Sequence, residues 1–159
     1  MSNHLPTDYQ KFIHSSRYAK WLEDMGRRET WTETVDRYMT NVVGLKVPES
    51  VYKELEEAIL GLDIMPSMRA LMTAGKAMER DNTCAYNCSY LPVDHPRAFD
   101  EAMFILLCGT GVGFSVERGE ISKLPVVPAL AESAEQIEVA DSKEGWARAY
   151  KELLALMWA

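Results

Sequence analysis

The chain has 159 residues, 47% hydrophobic and 26% charged, with a formal net charge of −7. That is enough chain for one substantial core, and the acidic balance excludes a protein that grips a nucleic-acid backbone by its overall charge. The longest apolar run, Ala102 to Cys108, is too short to cross a bilayer. The N-terminus lacks the apolar stretch and small-residue cleavage site of a secretory signal. Three cysteines without such a signal fit a reducing compartment. The expectation is a cytoplasmic protein with neither nucleic acid nor membrane as a partner.

In chain order, residues 1–15 are polar and read as loosely ordered. Ser16 to Glu23 reads as a short helix with Tyr18, Trp21 and Leu22 on one side, ended at Gly26. Thr30-Trp31-Thr32-Glu33 is a capping box, in which Thr30 and Glu33 satisfy each other's backbone donors. The helix it opens runs to about Val43, with Trp31, Val35, Tyr38 and Met39 inward at helical spacing, and Gly44 stops it. Ser50 caps a helix over Val51 to Leu60, with Leu55, Ile59 and Leu60 inward. Pro66 pushes Met65 out of the helical region and makes 62–66 a turn. A short helix from Ser67 to Thr73 ends at Gly75, and Lys76 to Ala85 reads as a loop.

The pattern then changes. Cys88 to Val93 is a strand by length and alternation. Asp94 or His95 caps a helix with Pro96 in its first turn. Phe99, Ala102, Met103, Leu106 and Leu107 give that helix a broad apolar face, expected to be buried on more than one side. Val112 to Glu117 is a second strand, and a strand–helix–strand unit of this length predicts parallel strands with a right-handed crossover. Leu124 to Ala140 reads as a surface connection. Asp141 to Glu144 caps a last helix whose apolar stripe is Trp146, Tyr150, Leu153, Leu154, Met157 and Trp158.

Cys88 has two readings, a small buried hydrophobe on a strand or a redox thiol. Cys84, four residues earlier, makes a disulfide or half a metal site conceivable. No second pair of Cys or His stands at ligand spacing, so no metal site is assigned. Cys108 closes an apolar helix and reads as structural. The glycines of Gly109-Thr110-Gly111-Val112-Gly113 permit positive φ and close approach of backbone to a ligand. This turn leaves a helix and enters a strand, the reverse of a dinucleotide-binding turn, and lacks the lysine of a P-loop. A helix C-cap is the plainer account. Ser67 either caps its helix or offers backbone N–H groups to an anion. His4, His14 and His95 have no visible partner and read as solvated or capping residues.

Taken together and in order, these segments resemble the N-terminal part of adenosylcobalamin-dependent (class II) ribonucleotide reductases, nearest the ribonucleoside-triphosphate branch. The resemblance is carried by Tyr18-Ala19-Lys20-Trp21-Leu22, by the run from Gly26 to Arg37, and by the run from Met65 to Gly75. Asn87-Cys88-Ser89-Tyr90, Gly111-Val112-Gly113-Phe114-Ser115-Val116 and Asp141-Ser142-Lys143-Glu144-Gly145-Trp146 complete it. It covers nearly all of residues 17–158.

The resemblance implies an α/β fold: an N-terminal helical layer over 1–85, followed by the first strand–helix–strand of a ten-stranded reductase barrel, incomplete here. The barrel portion would be 86–122 with the redox cysteine, then a surface connection over 123–140 and a barrel helix over 141–159. It implies that Cys88 is one of the cysteine pair that reduces the ribose. Met65, Pro66, Ser67, Asn87 and the backbone at Thr110 and Gly111 would surround the substrate, and Asp94 would lie near the specificity-effector site. The implied cofactor is adenosylcobalamin, bound mostly by residues beyond this chain. The implied partners are a ribonucleotide, the C-terminal remainder of the reductase and a thioredoxin-type reductant. The radical cysteine and the disulfide partner would lie beyond residue 159, so the expectation is a piece with no turnover alone. A non-enzymatic nucleotide- or partner-binding remnant is the alternative, and a small thiol protein using Cys84 and Cys88 a third.

Overall fold

The structure, a computed structural model, describes residues 5–158. The chain divides into two compact units, Met1–Ala85 and Tyr86–Ala159, each taken by itself.

The first unit begins with order where looseness was expected. Thr7 opens α1 (Asp8–Ile13) with a capping box shared with Gln10. The chain continues as a wider π-type turn, His14–Tyr18. Leu5 is buried in the core, and one anchored apolar residue with one cap is enough to order a polar segment. His4 lies outside the described residues.

Ser16 to Glu23 is not a helix. Trp21–Leu22 (β1) pairs antiparallel with Arg27–Arg28 (β2) around Gly26, whose φ of 61° is left-handed. The reason lies at Lys20 and Glu29. The Glu29 amide donates to the Lys20 carbonyl at 2.8 Å, and the Glu29 carboxylate accepts from the Lys20 amide at 3.0 Å. Those bonds take the groups a helix would need.

The capping box at Thr30 and Glu33 opens α2 (Trp31–Tyr38), which widens into a π-type stretch over Met39–Val43. Trp31, Val35 and Met39 are buried with Ile59 and Leu71, and the Trp31 indole donates to the Leu60 carbonyl at 3.2 Å. α3 (Glu49–Leu60) starts from Pro48, so Ser50 lies inside the helix and does not cap it. α4 (Met68–Thr73) follows the Met65–Ser67 turn, and α5 (Lys76–Arg80) occupies part of the stretch expected to be a loop.

Behind the core, Arg37 and Glu29 form an ion pair with side chains only 13% and 5% exposed. The guanidinium spends its five N–H groups on both Glu29 oxygens and on the carbonyls of Leu71, Ala74 and Tyr18. Thr34 donates to Glu29 at 3.1 Å, so the His14 ring, 2.9 Å from the same hydroxyl, donates through Nε2. His14 is buried and sits edge-on to Trp31, with ring centroids 5.6 Å apart. It is a core residue, contrary to its solvated reading.

In the second unit, β3 (Cys88–Pro92), α6 (Arg97–Leu107) and β4 (Gly111–Ser115) form the expected strand–helix–strand. The two strands are parallel, with Cys88 opposite Gly111 and Pro92 opposite Ser115. Pro96 stands at the helix cap, and the His95 ring accepts from the Arg97 amide at 3.2 Å. α6 packs both on the strands and on the last helix, Lys143–Met157, as its broad apolar face implied, while Leu106 and Leu107 stay exposed.

After α7 (Arg118–Ile121) the chain runs exposed and without regular structure from Pro125 to Ala140. Ser142 then caps α8 (Lys143–Met157), its hydroxyl accepting from the Gly145 amide at 3.0 Å. Gly145, Ala147, Ala149 and Leu154 are the buried positions of α8, whereas Trp146 and Leu153 of the expected stripe stand about half exposed. Small residues make this seam, because a Cβ at Gly145 would collide with the backbone of Ala140.

Candidate functional site

Cys88 opens β3 and is exposed. Side chains alternate along a strand, and residues directly opposite on a neighbouring strand share a face. Cys88 and Tyr90 therefore share a face with Gly111 and Gly113. Leu91 and Phe114 belong to the other face, where they line an apolar cavity together with Ala98, Phe99 and Ala102 of α6. The thiol thus stands on the side of the sheet that the helix does not cover.

The glycines on that side are informative. Gly109, with φ of 83°, needs glycine to turn the chain out of α6. Gly111 and Gly113 have no such need, since a Cβ there would meet its nearest neighbours at 3.5 and 3.6 Å, ordinary contacts. Their effect is that β4 puts no side chain beside Cys88, and the nearest side chain of that face is Tyr90, whose ring lies 3.8 Å from where a Gly113 Cβ would stand.

Three bonds fix the start of β3. The buried Thr110 hydroxyl donates to the Tyr86 carbonyl at 2.9 Å. The Gly111 amide donates to the Asn87 carbonyl at 2.9 Å, and the Ser89 hydroxyl donates to the Gly111 carbonyl at 3.1 Å. Cys88 lies between the residues so held. The Asn87 side chain is exposed. Asp94 faces Lys123, with Nζ 3.7 Å from the carboxylate. At the far end of α6, the Lys143 ammonium is 3.2 Å from the Cys108 sulfur and 4.9 Å from the Phe104 ring centroid. Neither lysine contact has a sequence signal, because both join segments that only the fold brings together.

In the first unit, Met65 is about half exposed, and Ser67 stands at the start of α4 without a side-chain cap bond. Cys84 lies in the turn Asn82–Ala85, and neither it nor Cys88 is in a disulfide. Among the described residues no group of three or more His, Cys, Asp and Glu side chains is placed to hold a metal ion.

Comparison with known proteins accords with this geometry. No protein-family model matches the chain. It is 34% identical over 149 residues to an adenosylcobalamin-dependent ribonucleoside-triphosphate reductase of Lacticaseibacillus paracasei, covering 69% of this chain and 19% of that protein. The protein of the same name from Lactobacillus delbrueckii subsp. bulgaricus is 27% identical over 163 aligned positions, covering 81% of this chain and 22% of its own length. A crystal structure of a B12-dependent (class II) ribonucleotide reductase superposes on 92% of this chain and 29% of its own, with a TM-score of 0.71 and 22% identity.

The fold is that of part of a class II ribonucleotide reductase. Within that class, the chain belongs to the adenosylcobalamin-dependent ribonucleoside-triphosphate reductases. It spans about a fifth of the length of the curated relatives it matches.

Proposed function

We propose that these 159 residues serve in a ribonucleotide reductase that converts ribonucleotides to 2′-deoxyribonucleotides, with Cys88 as one of two reducing thiols. The observation that carries this reading is the exposed Cys88 opposite Gly111, at the start of a strand held by three hydrogen bonds. A thiol on a rigid strand spends little entropy in meeting a bound sugar.

The reduction balances with two thiols. The C2′–O bond breaks, the oxygen leaves as water, and a C2′–H bond forms. The two sulfurs, having given up two protons and two electrons between them, join as a disulfide. Cys88 is one sulfur, and the second belongs to the remainder of the reductase. A thioredoxin-type dithiol then returns the pair to thiols. Under the same reading Met65, Pro66 and Ser67, with Asn87 and the backbone of Thr110 and Gly111, contact the nucleotide, and Asp94 contributes to an effector site.

The relatives are named for adenosylcobalamin, and dependence on it is part of the proposal. Among the described residues no group of three or more His, Cys, Asp and Glu side chains is placed to hold a metal ion, and no residue of this chain is assigned to hold the corrin.

The test is complementation. The chain is combined with a polypeptide supplying the remainder of a relative, then given adenosylcobalamin, a dithiol and CTP, and dCTP is measured. Turnover is expected from the combination, none from the 159 residues alone, and background only with Cys88→Ser. Full activity of the Cys88→Ser combination would overturn the assignment.

A further inference from the structure

Thr110 carries a function that its place in the glycine turn conceals. Its side chain is 1% exposed, so its hydroxyl is not a surface group waiting for a ligand. That hydroxyl donates to the Tyr86 carbonyl at 2.9 Å, two residues before the thiol. One residue further along each strand the Gly111 amide donates to the Asn87 carbonyl, the bond that begins the parallel register placing Cys88 opposite Gly111.

The backbone ladder alone would leave the start of β3 to fray, because a strand's first residue has pairing on one flank only. A buried hydroxyl extends the pairing one step upstream of the sulfur. The buried partner is Thr110, whereas Tyr86 is exposed, so the bond ties an exposed stretch of backbone to an anchored side chain. Threonine suits the position twice over: its oxygen bridges the strands, and its branched Cβ limits the rotamers from which the bond is made.

We infer that Thr110 is a positioning residue for Cys88, its hydroxyl pinning the Tyr86–Cys88 segment so that the thiol keeps one place on the face of the sheet opposite α6. The inference rests on the reading of Cys88 as the working thiol, but its test needs neither nucleotide nor turnover, so either can fail without the other.

The experiment compares the 159-residue chain with its Thr110→Val and Thr110→Ser variants. Iodoacetamide alkylation of each cysteine is followed by peptide mass spectrometry, and exchange of the Gly111 amide by NMR. Valine keeps the shape of threonine and removes the hydroxyl, whereas serine keeps the hydroxyl. With Thr110→Val, Cys88 should react at least threefold faster while Cys108 keeps its rate, and the Gly111 amide should exchange at least tenfold faster. Thr110→Ser should restore all three to within twofold of the parent.

Should Thr110→Val fail to fold by circular dichroism, Thr110→Ala against Thr110→Ser makes the same comparison, differing by one oxygen. Equal acceleration of Cys88 and Cys108 would mean that Thr110 only stabilises the unit as a whole, and would overturn the inference. So would an unchanged Cys88 rate in the valine variant.

Discussion

At the scale of the residue, Gly111 opposite Cys88 and Gly113 opposite Tyr90 on the same face separate a site from a strand that merely contains a cysteine. Nothing in their backbone requires glycine, so their value is the room they leave. Gly113→Val should therefore leave the fold intact and slow alkylation of Cys88 by a bulky maleimide at least fivefold, with little effect on a small reagent such as iodoacetamide. Equal rates for parent and variant with both reagents would show that the face is not the route to the sulfur. The glycine turn and the parallel strands were legible from residue order, whereas the exposure of Cys88 decided between two readings the sequence left open and the register came only with the fold. What could not be read was Thr110, whose buried side chain bonds to a carbonyl 24 residues earlier. Lys123 beside Asp94 and Lys143 beside Cys108 were equally hidden. Such contacts depend on which segments meet, and local pattern is silent about that.

At the scale of the element, the helices with strong local signals appeared where the sequence placed them. α2 has its capping box and its buried Trp31, Val35 and Met39, and α8 has its Ser142 cap. The errors fell where a non-local bond overrides propensity, as at Trp21–Leu22, or where one buried residue orders a polar stretch, as at Leu5 and α1. His14 belongs to the same class, and its burial has a consequence in acid. Burial pushes its pKa below the ordinary 6.5, with Glu29 opposing and Arg37 adding. The unfolded chain then takes up the proton more readily than the folded one. Stability is whole above pH 6.5 and falls as the pH drops below it. A second loss should follow at lower pH. The Arg27 bonds and the Thr30 amide hold Glu33 down, from 4.5 to about 2, so its contribution fades across that interval. Thermal melts against pH should show both declines, and His14→Gln should flatten the upper one. An unchanged upper decline in that variant would place its origin elsewhere.

At the scale of the whole molecule, the second unit shows a large amount of exposed apolar surface. Leu106, Leu107, Phe114, Val116, Trp146 and Leu153 are all exposed, and β3 and β4 pair only with each other among the described residues. Apolar patches and unpaired strand edges both invite association. The isolated chain should scatter light with an apparent mass that rises with concentration, and Leu106→Lys combined with Leu153→Lys should lower it. A constant monomer mass for the unmodified chain would contradict this.

A parallel pair has a direction that a hairpin lacks, because both of its strands begin at the same end. Cys88 and Gly111 are neighbours for that reason, and a side chain arriving with the second strand can brace the first. The address of the sulfur is thereby written in the ladder and not in the length of the chain between the strands. The ribbon from Pro125 to Ala140 follows both strands, so insertions into it would lengthen the molecule without moving its thiol.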